Sequence, residues 1–451
     1  MLFSGIPFLY YFLPCVLLLY VAAPRKLKNA ALLLASLIFY AWGEPRLVIL
    51  MMVTVLSGYI LALLTEKFPR MKKLFLGLAL AIPLGFLGFF KYANFFLENA
   101  GLPLLNVALP IGISFYTFQI LSYNIDVYRG EVPAQKNPID LAAYISFFPQ
   151  LIAGPIVRYS DIAAQLKHRT HSWEKTSVGI RRFIFGLSKK IVIANSLGEL
   201  CNLFKSAENP SVLFHWLYGI AFMLHIYFDF SGYSDMAIGL GKLFGFDFVE
   251  NFNYPFISKS ATEFWRRWHI SLGSWFRDYV YFPLGGSRVK KPRMFFNIFL
   301  VWMLTGFWHG AAWNFILWGL FFAILLVLEK LCFLNYLKKS KVLSRIYILF
   351  AVMLSFILFD ATTTGNAFAT IGGLFGVNTS QFACMESLYY LKSYAVIFLI
   401  AIIGSTPLPK RLAEKIKPLT YLEPIVLAVL LIICTAYLVD GSFNPFLYFR
   451  F

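Results

Sequence analysis

Apolar runs close to twenty residues long follow one another along the whole chain, separated by short polar stretches. They fall at 6–23, 29–43, 46–64, 74–97, 107–125, 183–201, 212–230, 294–308, 311–332, 346–361, 389–405 and 421–440. A bilayer core of about 30 Å is crossed by about 20 helical residues, so several of these runs are short. The pattern predicts a polytopic membrane protein. In lipid each span satisfies its own backbone hydrogen bonds, so the predicted class is all-α, a bundle of membrane helices. A transmembrane barrel would carry repeated short strands of alternating polarity, and that pattern is missing. The even number of runs puts both termini on one side.

Two segments fit neither a clean span nor a clean loop. Residues 144–159 are apolar but are broken by Pro149, Gly154 and Pro155. Residues 251–284 are rich in aromatics and arginines. Both read as re-entrant or interfacial segments, which persist at membrane depth only where protein or a water-filled cavity surrounds them. There is no internal repeat and no Gly/Ser-rich linker, so the sequence predicts one domain, 1–451. The N-terminus lacks a charged leader region and a clear cleavage site. Its first run therefore reads as a retained span.

Of the 451 residues, 59% are hydrophobic and 14% charged, against about 25% charged in soluble domains. Mean hydropathy is +0.69. A net charge of +18 raises the question of nucleic acid, but the basic residues are sorted by loop. They gather at 25–28, 67–73, 129–182, 242–293, 338–345 and 410–417. The intervening loops hold Arg46, Lys91, Lys205 and Arg450, and 361–391 holds no Lys or Arg. Such sorting assigns the basic loops to the cytoplasm and both termini to the outside, with anionic lipid as the partner of most cations. Cys15, Cys201, Cys332, Cys384 and Cys434 are odd in number, scattered and mostly in apolar runs. They read as buried free thiols, with neither a disulfide framework nor a metal site.

Two histidines stand out against this background. An ionisable side chain inside apolar sequence is a functional candidate, and imidazole is suited to proton transfer near neutral pH. His269 lies in Glu263-Phe-Trp-Arg-Arg-Trp-His-Ile-Ser271. Ser260-Ala-Thr-Glu263 has capping-box spacing, so a helix is expected to open there and to carry His269. On it Trp265, His269, Leu272 and Phe276 would share one face, with Arg266, Ile270, Gly273 and Arg277 on the next. His309 follows an apolar run that starts from Lys290, Lys291 and Arg293. About 14 helical residues reach roughly 21 Å, which puts His309 within the membrane toward the outer side. Gly306, Gly310, Ala311 and Ala312 around it either permit close helix packing or leave room for a substrate. Arginines beside aromatics can bind phosphate. Pro283-Leu-Gly-Gly-Ser-Arg288 is either a phosphate cradle or a basic turn. Asp229, Ser231, Ser234 and Asp235 supply triad-like residue types without a nucleophile elbow. Asp229 could instead orient a histidine or cap a helix starting near Gly232.

Long stretches then resemble one family, the membrane-bound O-acyltransferases, and within it the bacterial branch that acetylates alginate. They are Glu263 through Arg288 and Thr305-Gly-Phe-Trp-His-Gly-Ala-Ala-Trp-Asn314. Supporting stretches are Phe147 through Ile156, Tyr227 through Asp235, Asn251-Phe-Asn-Tyr-Pro-Phe256 and the aromatic C-terminus from Asn444 to Phe451. The resemblance implies a multi-helix enzyme around a central tunnel in the bacterial cytoplasmic membrane. It implies acetyl-CoA as cytoplasmic donor, no metal, and a surface-exposed acetyltransferase partner that modifies an alginate, peptidoglycan or cellulose type polysaccharide. His309 corresponds to the family's essential histidine and His269 to its second motif histidine. Arg266, Arg267, Arg277 and Arg288 are then candidates for the donor's phosphates. The alternatives are D-alanyl transfer from a carrier protein and a lipid or glycan transporter.

Overall fold

The computed structural model describes residues 3–337, 339–377, 379, 381–415, 421–440 and 446. Lys338, residues 416–417 of a basic loop, and the aromatic C-terminal segment from Asn444 to Phe451, except Phe446, lie outside the described residues. The chain is 77% helical and is an all-α polytopic membrane protein. Each apolar run predicted from sequence overlaps a helix, but the first six residues of the run 107–125 precede the helix Ile113–Arg129. Among the described residues, six helices are long and apolar enough to cross a membrane: Val48–Lys67, Pro69–Asn99, Val212–Leu243, Trp313–Leu337, Lys341–Asp360 and Met385–Gly404. Pro7–Ala22 and Glu423–Val439 are apolar but shorter. Leu18, Val21, Ile60, Ile324, Val396 and Ile432 point outward, as expected where the solvent is hydrocarbon. Cys15 and Cys332 are also exposed, which corrects the expectation of burial; a thiol needs no protein cover when its surroundings are apolar.

The chain divides into two compact units. The first comprises 1–184 and 233–250. Its core includes the rings of Phe3, Phe8, Phe39, Phe148 and Tyr233. The broken segment predicted at 144–159 lies here. It is a helix to Ser146, a single turn Phe148–Leu151, and then extended chain. Side chains replace the missing helical bonds. The Gln150 amide donates to the Tyr144 carbonyl at 2.6 Å, the Tyr144 hydroxyl to the Val157 carbonyl at 2.8 Å, and the Phe148 amide to Ser36 Oγ at 3.1 Å.

The second unit comprises 185–232 and 251–451. Val212–Leu243 runs 32 residues without a break, roughly 48 Å. No helix starts near Gly232, and Asp229 caps nothing. It sits mid-helix, 1% exposed, paired with the fully buried Lys190 at 2.5 Å. The added Cβ of any residue larger than glycine at Gly232 would approach the Gly186 carbonyl at 2.8 Å. Glycine there lets the helix 173–206 lie close enough for the pair to form.

A buried charge left alone is far more costly than a pair. Asp229→Ala should therefore destabilise the protein in detergent by about 3–5 kcal/mol, and adding Lys190→Met should restore much of that loss. Thermal unfolding of the purified variants checks this; a double variant no more stable than Asp229→Ala would refute it.

Candidate active site

His309 ends the helix Lys291–His309, beyond which Gly310 turns the chain into extended backbone. The next helix, Trp313–Leu328, packs back against it. Two glycines set the spacing. A Cβ on Gly306 would collide with the Phe315 carbonyl, and one on Gly319 with the Trp302 carbonyl. A Cβ on Gly310 would strike the Phe315 ring. Of the two readings of these small residues, close packing is the one realised at Gly306 and Gly310. Asn314 adds a tie across helices, its amide donating to the Phe359 and Ala361 carbonyls at 3.2 and 3.0 Å. Phe359 is thereby held beside His309.

His269 is not on a continuous helix. Helix Ala261–Trp265 stops, and a second, Ile270–Phe276, begins after His269, whose φ is +45°. A left-handed φ on a residue with a side chain is strained and needs outside support. Asn251 provides it. Its carbonyl accepts from the Ile270 amide at 3.0 Å, and its side-chain oxygen accepts from Ser271 Oγ at 2.9 Å and the Ser271 amide at 3.3 Å. The Asn253 amide donates to the Arg267 carbonyl at 2.9 Å. These bonds replace the helical ladder, so local helix propensity yields to tertiary contacts. The start of the segment is pinned as well. Ser260 Oγ accepts from the Glu263 amide at 3.1 Å, as the capping spacing predicts, while the Glu263 carboxylate returns to the Lys259 amide at 3.0 Å. The buried carboxylate of Glu329 accepts from the Ala261 amide at 2.5 Å.

The two histidines, forty positions apart in sequence, come together in the second unit. Their ring centroids are 6.4 Å apart, and they are 1% and 6% exposed. Aromatic walls surround them. Phe230 meets His269 edge to face at 4.7 Å, and Trp308 lies 5.9 Å from it. Trp318 and Phe359 meet His309 at 5.1 and 5.3 Å. Trp265 packs on Trp302 and Phe322, joining the broken segment to both helices. Edge-to-face contacts fix ring orientation, and the apolar enclosure strengthens any hydrogen bond an imidazole makes.

The structure does not bring the four arginines to this pair. Arg267 bonds Glu263 at 3.0–3.1 Å and the Asn253 carbonyl at 3.1 Å. Arg277 pairs with Asp278 at 2.7 Å. Arg266 and Arg288 are exposed. The glycine-rich stretch is a turn, with Gly285 and Gly286 at positive φ. Its Leu284 and Gly286 carbonyls accept from the Asn297 amide at 3.1 and 3.2 Å. The sequence reading missed Asn251, Glu329, Trp318 and Phe359. The first two were visible in principle, as polar groups bordering or inside apolar sequence. The aromatic pair was not, because one ring among 49 phenylalanines and 10 tryptophans carries no mark.

Cavities open among the described residues of this unit. One, of about 490 Å³, is lined by Lys205, His215, Tyr218, Asp360, Ala361 and Asn366 among others. Asp360 there accepts from Tyr218 at 2.6 Å and pairs with Lys205 at 2.5 Å. Another, of about 420 Å³, is lined by Phe256, Ile257, Arg345 and Arg411 with neighbours.

The glycine contacts yield a prediction. Gly306→Ala should destabilise by about 1–3 kcal/mol through overpacking and should displace His309. Gly77→Ala, whose added Cβ meets nothing within 4 Å, is the control and should do neither. Equal effects of the two on melting temperature would reject the packing account.

The sequence profile of the membrane-bound O-acyltransferase family matches residues 81–363. A probable alginate O-acetylase AlgI from Azotobacter vinelandii is 37% identical, with all of both chains covered. A peptidoglycan O-acetyltransferase from Helicobacter pylori is 34% identical over 84% of this chain and 80% of its own. A teichoic acid D-alanyltransferase from Bacillus subtilis is 34% identical over only 49% of this chain and 59% of its own. On the family profile and on the match along the whole of the Azotobacter vinelandii chain, the chain belongs to the membrane-bound O-acyltransferase family.

Proposed function

We propose that this chain passes an acetyl group from cytoplasmic acetyl-CoA across the bacterial cytoplasmic membrane for O-acetylation of an extracytoplasmic polysaccharide of alginate, peptidoglycan or cellulose type. The observation that carries the reading is the pair of buried imidazoles with centroids 6.4 Å apart in an aromatic enclosure. At that spacing both rings border the same small volume, where one reacting centre would meet both. Acetyl transfer is favoured over D-alanyl transfer because the alginate relative matches the whole chain and the D-alanyl relative about half of it.

In this mechanism His309 takes the proton of an acceptor hydroxyl as its oxygen attacks the thioester carbonyl. The helix C-terminus beside it favours the imidazolium that forms. His269 donates to the tetrahedral oxyanion or positions the donor. When the carbon–sulfur bond breaks, the thiolate of CoA leaves and takes the proton back from His309, and the ester remains. The two units together act as one catalytic domain, and a surface-exposed acetyltransferase completes delivery to the polymer.

Measurement of polymer acetyl content, normalised to membrane protein, tests the assignment. His309→Ala should lose about 10²–10⁴-fold or more. His309→Gln should fail equally, since an amide keeps a hydrogen bond but is no base. His269→Gln should be milder. Near-normal acetylation by His309→Gln would overturn the catalytic role.

Orientation follows from the same loops. The 490 Å³ cavity joins residues from 202–211 and 361–379, both poor in basic residues, and the 420 Å³ cavity joins residues from three basic segments. Loops assigned by charge to one side thus share one cavity, which supports the sorting, with both termini outside. In a background free of native cysteines, Thr379→Cys should react with an impermeant reagent on intact cells and Ser340→Cys should not; the reverse would invert the topology.

A further inference from the structure

The first unit holds a set of cations that the proposed chemistry does not use. They come from the basic segments 25–28 and 169–175 and converge on one phenol, Tyr20. Lys28 Nζ lies 4.2 Å from the Tyr20 ring centroid and donates to the Tyr20 carbonyl at 2.8 Å. The Arg169 guanidinium is 5.7 Å from the same ring and 4.6 Å over Phe246. The Tyr20 hydroxyl donates to the Phe244 carbonyl at 2.8 Å, so it accepts from His171 Nε2, 3.3 Å away. His171 rests on Gly245, where a Cβ would crowd the imidazole. Lys175 reaches the Gly245 carbonyl at 2.9 Å.

Like charges crowded together repel unless something negative joins them. The carboxylates nearby are already engaged. Asp247 is shared between Lys175 and Lys242, at 2.7 and 2.9 Å. Asp140 is held by the Asn29 amide at 2.7 Å, and the Asn29 oxygen in turn accepts from Arg169 Nη2 at 2.6 Å. Arg169 is therefore fixed by an amide, the Tyr20 side chain and an aromatic face, and Asp140 acts on it electrostatically without bonding to it directly. Its Nη1 is buried and has no hydrogen-bond partner. Burial, with Lys28, Arg169, Lys175 and Arg25 beside it, holds the His171 imidazole below its usual pKa. His171 is itself exposed, and Lys28 and Lys175 are half-buried, so solvent reaches the cluster.

We infer that Arg169, Lys28 and His171 form a binding site for a phosphate ester, with Lys175 at its edge. A guanidinium with a free donor, an ammonium and an imidazole suit the several oxygens of a phosphate. The same chemistry arrives in two ways, as the phosphates of a soluble nucleotide-like compound or as a lipid headgroup. The soluble arm, taken with coenzyme A, rests on the donor reading above; the site itself does not.

The test uses the full chain in nanodiscs. Coenzyme A and inorganic phosphate binding are measured in zwitterionic lipid, and retention of phosphatidylglycerol is measured by mass spectrometry in mixed lipid. Variants are Arg169→Gln, Lys28→Gln and, as a charge-matched neighbour, Lys26→Gln. Loss of one charge-assisted contact should weaken the true ligand roughly tenfold or more, and Lys26→Gln should change it by less than about twofold. Weakened coenzyme A binding identifies the soluble source, and reduced lipid retention identifies the headgroup. If Arg169→Gln does not fold, Lys28→Gln alone decides, since that side chain is only half-buried. No difference from Lys26→Gln in either arm would overturn the site. Acyl transfer is assayed in parallel: loss of transfer in His309→Gln with intact coenzyme A binding separates the catalytic reading from this one.

Discussion

Hydrocarbon offers a broken helix nothing to hydrogen-bond with, and that constraint shapes the segment carrying His269. Once the chain leaves helical geometry after Trp265, every freed amide and carbonyl needs a protein partner. Asn251, Asn253, Ser260 and Glu329 supply partners on both sides of the break. The left-handed conformation of His269 follows from their placement. So does its position within reach of His309, which arrives on a separate helix whose spacing two glycines dictate. A strained residue over-determined by its surroundings is a common way to hold a reactive group in one orientation.

The surroundings of the two imidazoles are aromatic more than polar. Phe230, Trp308, Trp318 and Phe359 fix ring planes through edge contacts and keep water from crowding the pair. In such a place a few hydrogen bonds to a developing charge weigh more than they would in water. Enclosure by rings also tolerates a small apolar group such as acetyl. The polar residues Lys205, His215 and Asp360 are gathered in the cavity beyond Phe359.

Much of the fold was legible because its signals are local or periodic. Helical spans declare themselves by apolar length, and the break at 144–159 by Pro149, Gly154 and Pro155. The histidines were legible as ionisable groups in apolar sequence. The conformation of His269 was not. Ser260 and Glu263 read as the start of a helix, correctly, and nothing nearby marks its early end; the bonds that end it come from Asn251 and Asn253. Arg267 and Arg277 read as phosphate ligands from sequence, and in the structure each also has a carboxylate partner, four residues before and one after. Asp229 read as a possible cap because Gly232 imitates a helix boundary. Its true partner, Lys190, lies on another helix, where no local pattern points.

The same Lys190–Asp229 pair constrains how the protein is made. Lys190 belongs to the helix 173–206 and Asp229 to the next one, with only a short loop between them. A charge carried into lipid alone opposes insertion, by about 2.5–3.5 kcal/mol where it reaches the bilayer centre and by less nearer the surface. The lysine helix is synthesised first and has no counter-ion until the ribosome has added some forty more residues. Released singly, it would favour slipping back toward water. Entering together as a hairpin, the two helices would bring the pair in already neutralised.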